Sequence, residues 1–431
     1  MVRIFGKKLS LIRFLLILGT VFCQYGPMDK EKASKIENYF LDLAQGKLSQ
    51  QNFKKSETPK ISVILPIHND DKKAILAIRS IQNQSLKDIE IVVVNDNSNK
   101  ETLANINKIK KNDPRIKIIN NKIIRGLLYN RVQGALESQG EYVTFINGNG
   151  GLCDPDILKK AYEVATKKYK ESIEVVHYQS CNSEVTNGKF NNFLLYSGIN
   201  SNNFDKVIKD SEIGDNYLQN GKNITNSEFV FDKIIKKQVI KRVSSYIGPH
   251  LWNQNITETA DFLLAYAIMK KAKSFVNIAD IGYWNKIEAK KSIYDDLQIK
   301  DYRLSEHEKS NKIIGDCILI LERLLELTEE EKNSIEFRKL VLEKIKDEKF
   351  MKALARSTYY DKYINLCEKM VNWKYIDNPT KENILNHIKY VLKFKVNPEK
   401  MFEYIIDEED NEQDDDDDDP EYMINDKSFE L

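Results

Sequence analysis

Three short clusters of small polar residues stand out because each one follows an apolar run. They are Pro66-Ile67-His68-Asn69, Asn95-Asp96-Asn97-Ser98 and Asn147-Gly148-Asn149-Gly150-Gly151. Their carboxylate, amide and hydroxyl groups can exchange hydrogen bonds with a bound ligand. In sheets of parallel strands, ligands bind beyond the carboxyl ends of the strands. The three clusters are therefore the first candidates for a binding site.

Four runs rich in β-branched residues recur around these clusters at nearly constant spacing. Their starts lie 28, 27 and 26 residues apart, and Pro, Asn, Asp or Gly bounds each one. The runs are Ile61–Leu65, Ile89–Val94, Ile116–Ile119 and Tyr142–Ile146. Such runs predict buried strands, and the helical spacing of apolar residues between the first two predicts a crossover helix. The sequence thus predicts an α/β domain with a mostly parallel sheet covered on both faces.

Several segments of this region resemble the family-2 glycosyltransferases of the GT-A fold. Four of them, in the family's order, read ISVILPIHN, RSIQNQSLKDIEIVVVNDNSNKET, DPRIKII and RGLLYNRVQGALESQGEYVTFIN. Farther along, VFDKIIKKQVI and TETADFLLAYAIMKKAKSFVNIADIGYW resemble the acceptor-binding half. The resemblance implies a GT-A-type mixed, mostly parallel sheet flanked by helices over residues 61–290. It also implies a nucleotide sugar, here a UDP-sugar, as the donor.

The resemblance assigns roles to residues around the expected cleft. Asp96 matches the family aspartate that accepts a hydrogen bond from the base. Pro66 and Asn69 match the turn that follows the first strand. Arg131 matches an arginine facing the nucleotide, where it would make bidentate contacts with the diphosphate. Asp261 falls where the family places the carboxylate that acts as general base on the acceptor hydroxyl.

Each of the three charged residues also has a purely structural interpretation. Asp96 would stabilise its own turn together with Asn97 and Ser98. Arg131 would belong to a solvated helix face. Asp261 would be a first-turn carboxylate that interacts favourably with the helix dipole. At the level of the sequence these alternatives stay open.

The resemblance breaks down at the third cluster. Family members have Asp-x-Asp there, which binds Mn or Mg against the diphosphate, whereas this chain has Asn147 and Asn149. An amide offers one neutral acceptor, and each lost charge forfeits about 4 kcal/mol of attraction at ~4 Å and an effective dielectric constant of ~20. Asp154 and Asp156 flank a proline, which indicates a helix start rather than a substitute metal site. We therefore predict no metal site, and we expect Asn147 and Asn149 to line the donor cleft.

The N-terminal segment Met1–Cys23 combines basic residues with an uncharged run from Phe14 to Cys23. About ten apolar residues suit a signal peptide, whereas a membrane span needs ~20. The alternative is an uncleaved signal anchor, which would be the chain's contact with a membrane. Either one predicts the secretory pathway, in the endoplasmic reticulum or Golgi lumen or after secretion. The polar segment 24–60 predicts a stem.

Length and charge organise the rest of the chain, because 431 residues suggest two structured units. Between residues 300 and 400, apolar residues at helical spacing predict an appended α-helical region. Residues 407–431 hold 14 of the 65 acidic residues and one of the 66 basic residues, which leaves residues 1–406 with 51 acidic and 65 basic residues, a surplus of +14. Repulsion between like charges predicts a disordered acidic tail.

The sequence as a whole predicts inverting transfer of a sugar from a nucleotide sugar to a hydroxyl of a glycan, lipid or protein. Asp261 would take the acceptor proton, and the activity would be weak or metal-independent. One alternative is a catalytically inactive pseudo-glycosyltransferase that binds a sugar nucleotide or a protein. Another makes the acidic tail a lumenal segment that binds calcium or a partner. Nucleic acid is not an expected partner.

Overall fold

The computed structural model describes residues 25–47, 52–69, 71–186, 189–196, 204–213, 229–257, 260–288, 306–329, 354–355 and 357–396. The predicted signal segment, residues 1–23, and the predicted acidic tail, residues 407–431, lie outside these ranges. The chain divides into two compact units, Met1–Lys344 and Ile345–Leu431. In the ranges described, no helix combines the length and the apolar character that crossing a membrane requires.

One sheet runs through the first unit and, within the described ranges, contains eleven strands. They are β1 (Tyr25–Pro27), β2 (Ile61–Ile67), β3 (Ile89–Asn95), β4 (Ile116–Asn120), β5 (Tyr142–Phe145), β6 (Gly150–Leu152), β7 (Val175–Thr186), β8 (Lys189–Tyr196), β9 (Ile208–Lys209), β10 (Lys233–Lys236) and β11 (Ser274–Glu288). Strands β2 to β5 are the four predicted runs. Their β-branched side chains suit strands that are covered on both faces, and β3 is buried along its whole length.

The sheet is mixed, and its strand order brings the predicted polar clusters to one edge. Neighbouring strands follow the order β1-β8-β7-β10-β5-β2-β3-β4, while β11 pairs with β6, β7 and β9. Strands β5, β2, β3 and β4 are parallel, whereas β10 is antiparallel to both β5 and β7. The carboxyl ends of β2, β3 and β5 therefore meet at the same edge. This architecture confirms the predicted GT-A-type α/β fold.

Helices connect the strands and cover the sheet. Those of the first unit are α1 (Lys30–Ala44), α2 (Asp71–Gln82), α3 (Lys100–Asn112), α4 (Gly126–Glu137), α5 (Ile157–Lys167), α6 (Lys237–Ile247), α7 (Pro249–Trp252), α8 (Ala260–Lys271) and α9 (Glu306–Leu327). Capping fixes where they begin: the Oδ1 of Asn99 accepts a hydrogen bond from the N–H of Thr102 at 2.8 Å, which starts α3. Helix α5 begins at Ile157, directly after the Asp-Pro-Asp segment rather than within it; Asp156 makes no side-chain capping bond, and the Oδ1 of Asp154 accepts the N–H of Asp156 at 2.8 Å.

Helix α4 lies very close to the sheet at Gly134. A Cβ at this position would be 2.7 Å from the Cγ2 of Ile64 on β2 and 2.8 Å from the Cγ2 of Val94 on β3. Any larger residue would push the helix outward. Arg131 lies three residues earlier, on the same side of the helix. The close packing at Gly134 therefore brings Arg131 down onto the edge of the sheet.

The predicted stem, residues 24–60, contains β1 and α1, which pack within the first unit. Strand β1 is antiparallel to β8. Phe40 and Leu43 of α1 are buried, and the ring of Phe40 lies 4.4 Å from the ring of Trp284 on β11, centroid to centroid. Arg79 of α2 donates hydrogen bonds to two carbonyl groups at the end of α1, at 3.0 and 2.9 Å. Over residues 25–44 the chain is thus a layer of the domain and not the stem that its polarity suggested.

The predicted appended helical region, residues 300–400, contains helices of both units. Helix α9 belongs to the first unit, where Arg323 donates a hydrogen bond to the carbonyl oxygen of Ile247 at 2.8 Å. The second unit contains α10 (Tyr360–Val371) and α11 (Asn378–Val396). The hydroxyl of Tyr363 on α10 lies 2.7 Å from the Nε2 of His387 on α11, which joins these two helices.

Candidate active site

The loops after β2 and β3 are joined by a set of polar contacts. The N–H of Asn69 donates to the Oγ of Ser98 at 3.2 Å, and the Oδ1 of Asn69 accepts from the N–H of Asn99 at 2.8 Å. The Nδ1 of His68 lies 2.7 Å from the carbonyl oxygen of Asp96, so Nδ1 must carry the proton. Its Nε2 then accepts from the amide of Asn69 at 3.1 Å. His68 and Asn69 therefore join the loop after β2 to the loop after β3, and His68 holds the backbone of Asp96.

Pro66 was predicted in the turn that follows the first strand, but β2 continues past it. Pro66 pairs with Val94 in the register between β2 and β3, and the strand ends at Ile67. Proline has no backbone N–H to donate, but the two strands stay paired beyond it. The carbonyl oxygen of Ile67 accepts from the N–H of Asp96 at 2.9 Å. Pro66 thus shapes the end of the strand, one residue before the polar turn.

The carboxylate of Asp96 is almost completely buried and holds the start of α4. Its Oδ1 accepts hydrogen bonds from the amide of Asn121 at 2.9 Å and from the N–H of Arg125 at 2.7 Å. Its Oδ2 accepts from the N–H of Gly126 at 2.9 Å. A carboxylate oxygen has two lone pairs, so within the described part of the chain Oδ2 retains one for a further donor. Asp96 can therefore hold α4 and a base N–H at the same time.

The structural alternative for Asp96, a turn closed on Asn97 and Ser98, is not what the structure shows. The N–H of Ser98 donates instead to the Oδ1 of Asn95, at 3.0 Å. The amide of Asn95 in turn donates to the Oδ1 of Asn120 at 2.9 Å. Because Asn95 closes the turn, the carboxylate of Asp96 is left to the α4 side of the cleft.

Arg131 is completely buried beneath the third cluster, so the alternative of a solvated helix face is wrong. Its Nη2 donates to the Oδ1 of Asn147 at 2.6 Å, and its Nη1 forms an ion pair with the carboxylate of Asp261. Burial lowers the pKa of the guanidinium to about 9, so the group stays charged at neutral pH. Bidentate contact with a diphosphate was the expectation. In the structure the guanidinium contacts Asn147 and Asp261, and the close packing of α4 at Gly134 places it beneath the turn.

Asp261 lies in the first turn of α8, and 22% of its side chain is exposed. The dipole interaction that was the alternative for this carboxylate is therefore present. The ion pair with Arg131 adds a contact that the helix alone does not supply, because it holds one carboxylate oxygen, Oδ1, against the guanidinium of a residue on α4. Asp261, Arg131 and Asn147 thus form one connected group.

The third cluster forms a tight turn between β5 and β6. The N–H of Asn147 donates to the hydroxyl of Tyr283 at 3.3 Å, and its carbonyl oxygen accepts from the N–H of Gly150 at 3.1 Å. The carbonyl oxygen of Asn149 accepts from the N–H of Lys286 at 3.2 Å. A Cβ at Gly150 would collide with the hydroxyl of Tyr283, so the turn and β11 can approach this closely only with glycine at that position.

These residues do not fit the divalent metal that the resembled family holds at this turn. The Oδ1 of Asn147 is already the acceptor for a cation, Arg131. Asp154 is also engaged, because its carboxylate lies 2.8 Å from the Nζ of Lys160 and 2.8 Å from the N–H of Asp156. In the described part of the chain, no group of three or more His, Cys, Asp or Glu side chains could hold a metal ion. The absence of a metal site stays a prediction.

Sequence reasoning missed several residues that build this site. Asn121 follows β4, so the rule that selected the other clusters would have found it had that strand end been searched. Tyr283 could not be found in this way, because it lies within β11 and reaches the turn by its hydroxyl alone. Gly126 was also missed, although its φ of 79° lets its N–H reach Asp96.

Comparisons with known proteins agree with this fold. The model of the family described as glycosyl transferase family 2 matches residues 62–232. A GalNAc(5)-diNAcBac-PP-undecaprenol beta-1,3-glucosyltransferase of Campylobacter jejuni is 37% identical over 114 residues, 26% of this chain and 35% of the relative. A putative glycosyltransferase, EpsH, of Bacillus subtilis is 28% identical over 109 residues, 25% of this chain and 31% of the relative. The chain thus spans about a third of the length of these curated relatives.

Among solved structures, residues 1–349 of S. aureus TarS in complex with UDP-GlcNAc superpose with a TM-score of 0.53 at 16% identity, covering 78% of this chain and 88% of that one. At this identity the likeness concerns the fold. Together with the match to the family model, this fold defines a GT-A-type, glycosyltransferase-like domain. More narrowly, the chain contains a family-2-like glycosyltransferase domain, which confirms the resemblance of its sequence.

Proposed function

We propose that this domain transfers a sugar from a uridine diphosphate sugar to an acceptor hydroxyl, with inversion and without a divalent metal. One observation carries the proposal: the buried guanidinium of Arg131 bridges Asn147, at the turn where the family binds metal, and Asp261, at the position of the general base. The group connects the expected places of the leaving diphosphate and of the attacking hydroxyl.

At the diphosphate, the chemistry of Arg131 fixes the orientation of Asn147. A guanidinium has only donors, so the atom of Asn147 that faces it must be the carbonyl oxygen, Oδ1. The Nδ2 group has no hydrogen bond among the described residues and is left to donate to a phosphate oxygen. A chain of hydrogen bonds polarises each member, so the charge on Arg131 strengthens this donor. Asn147 thereby presents N–H groups to the diphosphate where an aspartate would present a metal ion.

At the nucleotide, the free lone pair of the Asp96 Oδ2 can accept the imino N–H of a uracil ring. The same carboxylate fixes the start of α4, the helix that carries Arg131. The base and the diphosphate are therefore recognised by two parts of one rigid unit. That the S. aureus TarS structures contain UDP-GlcNAc or UDP supports a uridine nucleotide as the donor for this fold.

At the acceptor, Asp261 takes the proton of the attacking hydroxyl while the oxygen bonds to the anomeric carbon and the nucleotide diphosphate leaves. A single displacement of this kind inverts the configuration at that carbon. The ion pair with Arg131 keeps Asp261 oriented until the acceptor arrives. A glycan or lipid-linked hydroxyl is the acceptor we favour, in view of the PP-undecaprenol-linked substrate named for the C. jejuni relative.

The second candidate function is a pseudo-glycosyltransferase that binds the nucleotide sugar without transfer. Two observations favour it: a neutral Asn147–Asn149 turn, and a candidate base that is already paired with a cation. Binding and turnover separate the two candidates. Both candidates need the residues that bind the nucleotide. Only the enzyme also needs a carboxylate oxygen of Asp261 to leave its ion pair with Arg131 and accept a proton.

Calorimetry of UDP binding in EDTA, followed by a UDP-release assay with UDP-GlcNAc and candidate acceptors, tests the proposal. We expect binding that Mn does not tighten. Asn147→Leu should weaken it about tenfold or more, since a hydrogen bond to a charged group contributes about 1.5–3 kcal/mol. The exposed-residue control Asn112→Leu should leave it unchanged. Asp261→Asn should bind UDP and lose release. Binding without release by the wild type would favour the pseudoenzyme, and no UDP binding would refute both.

We also propose delivery to the secretory pathway, on the basis of residues 1–23 alone. The relatives named above are bacterial proteins and lend this proposal no support. N-terminal sequencing of the mature protein should find a start near residue 24. Retention of Met1 in a carbonate-resistant membrane fraction would identify the segment as an anchor instead.

A further inference from the structure

Strand β11 carries an unassigned carboxamide, Asn285, beside the candidate active site. It lies two residues after Tyr283, whose hydroxyl accepts the N–H of Asn147. Residues two apart in a strand point to the same face and are separated by about 7 Å. Asn285 therefore lies on the same face of β11 as Tyr283, one strand repeat beyond the point where Tyr283 reaches the turn between β5 and β6.

Asn285 has a hydrogen-bonding group that the protein does not use. Its Oδ1 is buried and has no hydrogen-bond partner among the described residues. The Oδ1 of Asn149, in the turn between β5 and β6, is likewise buried and has no hydrogen-bond partner among the described residues. A buried acceptor without a donor costs folding free energy, so its retention calls for an explanation in terms of a ligand or ordered water. Two such acceptors close together indicate a site that receives donors.

The surrounding backbone brings the residues Asn149 and Asn285 next to each other. Asn285 pairs with Gly150 across the β6–β11 ladder, and the next residue, Lys286, donates its N–H to the carbonyl oxygen of Asn149 at 3.2 Å. Because Gly150 has no side chain, β6 and β11 lie close together here, and the hydroxyl of Tyr283 occupies the place that a Cβ at Gly150 would take. On the other side, Asn285 pairs with a further carboxamide residue, Asn182 of β7.

We propose that Asn285, together with Asn149, binds hydroxyl groups of the transferred sugar and thereby selects the donor. This inference rests on the proposed function, since it places the sugar next to a diphosphate bound at Asn147. Sugar hydroxyls are donors as well as acceptors, and a carboxamide offers an acceptor oxygen and two N–H donors, so the two groups match. Asn285 is a specificity-determining residue in this assignment, and Asp261 remains the base.

The alternative for the same cluster is a cation, because carboxamide oxygens also coordinate hard ions. A cation at this turn would need the Oδ1 of Asn147, which already accepts from Arg131. Hydroxyl donors need only neutral acceptors such as the Oδ1 of Asn149 and the Oδ1 of Asn285. The neutral ligand is therefore favoured over the ion.

The inference is tested by titrations in which the Asn285 side chain, one sugar hydroxyl, or both are removed. UDP, UDP-glucose and its 2-, 3-, 4- and 6-deoxy analogues are titrated into the wild type, Asn285→Leu and the surface control Asn112→Leu by calorimetry in EDTA. In the wild type, one deoxy analogue should bind about fivefold more weakly than UDP-glucose, the effect of one neutral hydrogen bond. In Asn285→Leu that difference should vanish, while the affinity for UDP itself stays within about twofold. If thermal melting shows the leucine variant unfolded, Asn285→Ala takes its place.

The outcomes separate this inference from the function beneath it. Loss of the same deoxy discrimination in Asn285→Leu but not in Asn112→Leu supports the sugar contact. Unchanged discrimination, or an equal weakening of UDP and of every sugar nucleotide, overturns it while leaving the proposed function intact. If the wild type binds no UDP at all, the proposed function itself fails. Tightening of binding by Ca or Mn in the wild type, absent in the leucine variant, would show a cation site and overturn the assignment.

Discussion

The ring of Phe40 on α1 packs against the indole of Trp284 on β11, with centroids 4.4 Å apart. Beneath this pair lies Gly151 of β6, where a Cβ would approach a ring carbon of Phe40 to 3.0 Å. The contact therefore links α1 to β6, the short strand that begins directly after the turn containing Asn147 and Asn149. Phe40 lies about twenty residues before the part of the chain that matches the family model, yet it packs against strands next to the candidate active site.

We predict that Phe40→Ala destabilises the first unit by about 3–5 kcal/mol, the usual cost of removing a buried aromatic ring. The adjacent residue Leu41, 39% exposed, offers a matched control, and Leu41→Ala should change stability by no more than about 0.5 kcal/mol. Urea unfolding followed by circular dichroism measures both. Equal, small effects of the two substitutions would show that α1 is a stem after all.

Gly134→Ala should destabilise the protein although alanine favours helices by about 1 kcal/mol over glycine. The added methyl group would meet Ile64 and Val94 at 2.7 and 2.8 Å, and relieving such overpacking typically costs about 1–3 kcal/mol. Because α4 must move outward, UDP binding should weaken as well. Glu137→Ala, at an exposed position of the same helix, serves as the control. A Gly134→Ala protein that is more stable than the wild type contradicts the proposed close approach.

Replacing both Asn147 and Asn149 by aspartate should create metal dependence. Two carboxylates restore the hard anionic ligands that Mn prefers, so Mn should tighten UDP binding of the double variant at least tenfold, or about 1.4 kcal/mol. Calorimetry with Mn and with EDTA measures the difference. In the wild type the two conditions should agree. Strong Mn dependence of the unmodified chain would mean that another carboxylate, such as Asp154 or Asp156, has replaced the pair.

Protein stability should fall in mild acid because of His177. Burial lowers the pKa of this imidazole, although Asp232, 3.4 Å away, acts in the opposite direction and Lys233 in the same one. The unfolded chain, with a histidine pKa of about 6.5, then binds more protons than the folded one, so the free energy of unfolding decreases as the pH falls below about 6.5.

His177→Gln should reduce this pH dependence, and the exposed His250→Gln should not. Urea unfolding between about pH 7.5 and 5.5 gives the slope for each protein. The expected sign is a loss of stability towards acid in the wild type and in His250→Gln. A wild-type protein that gains stability over this interval would show that Asp232 outweighs burial and raises the pKa of His177.

Much of the fold could be predicted because its signals are local. Runs such as Ile61–Leu65 and Ile89–Val94 differ from the observed strands by two residues or fewer, since buried parallel strands are uniformly apolar. The end of β2 was misplaced because proline is usually excluded from strands, yet Pro66 lies within one. Helix α1 was read as a stem because its apolar stripe is short and its partner, β11, lies more than 200 residues away in the sequence.

The sequence indicated which residues come together in the candidate site, but not the contacts between them. Asp96, Arg131, Asn147 and Asp261 meet at one edge of the sheet, as strand ends and the resemblance indicated. That Arg131 would be buried beneath Asn147 could not be read from the sequence, because it depends on how far Gly134 lets α4 approach the sheet. The role of Asn285 was equally out of reach, because its significance lies in a missing hydrogen-bond partner, which only three-dimensional packing reveals.

The buried position of Arg131 has a consequence for where such a domain can operate. A divalent ion exchanges with its surroundings, so an enzyme that depends on one follows the supply of manganese in its compartment. A guanidinium fixed in a helix by covalent bonds is always present in the same amount as the protein. Transfer that relies on Arg131 would therefore continue at the same rate in metal-starved and metal-rich surroundings, and its output would be set by the concentrations of donor and acceptor.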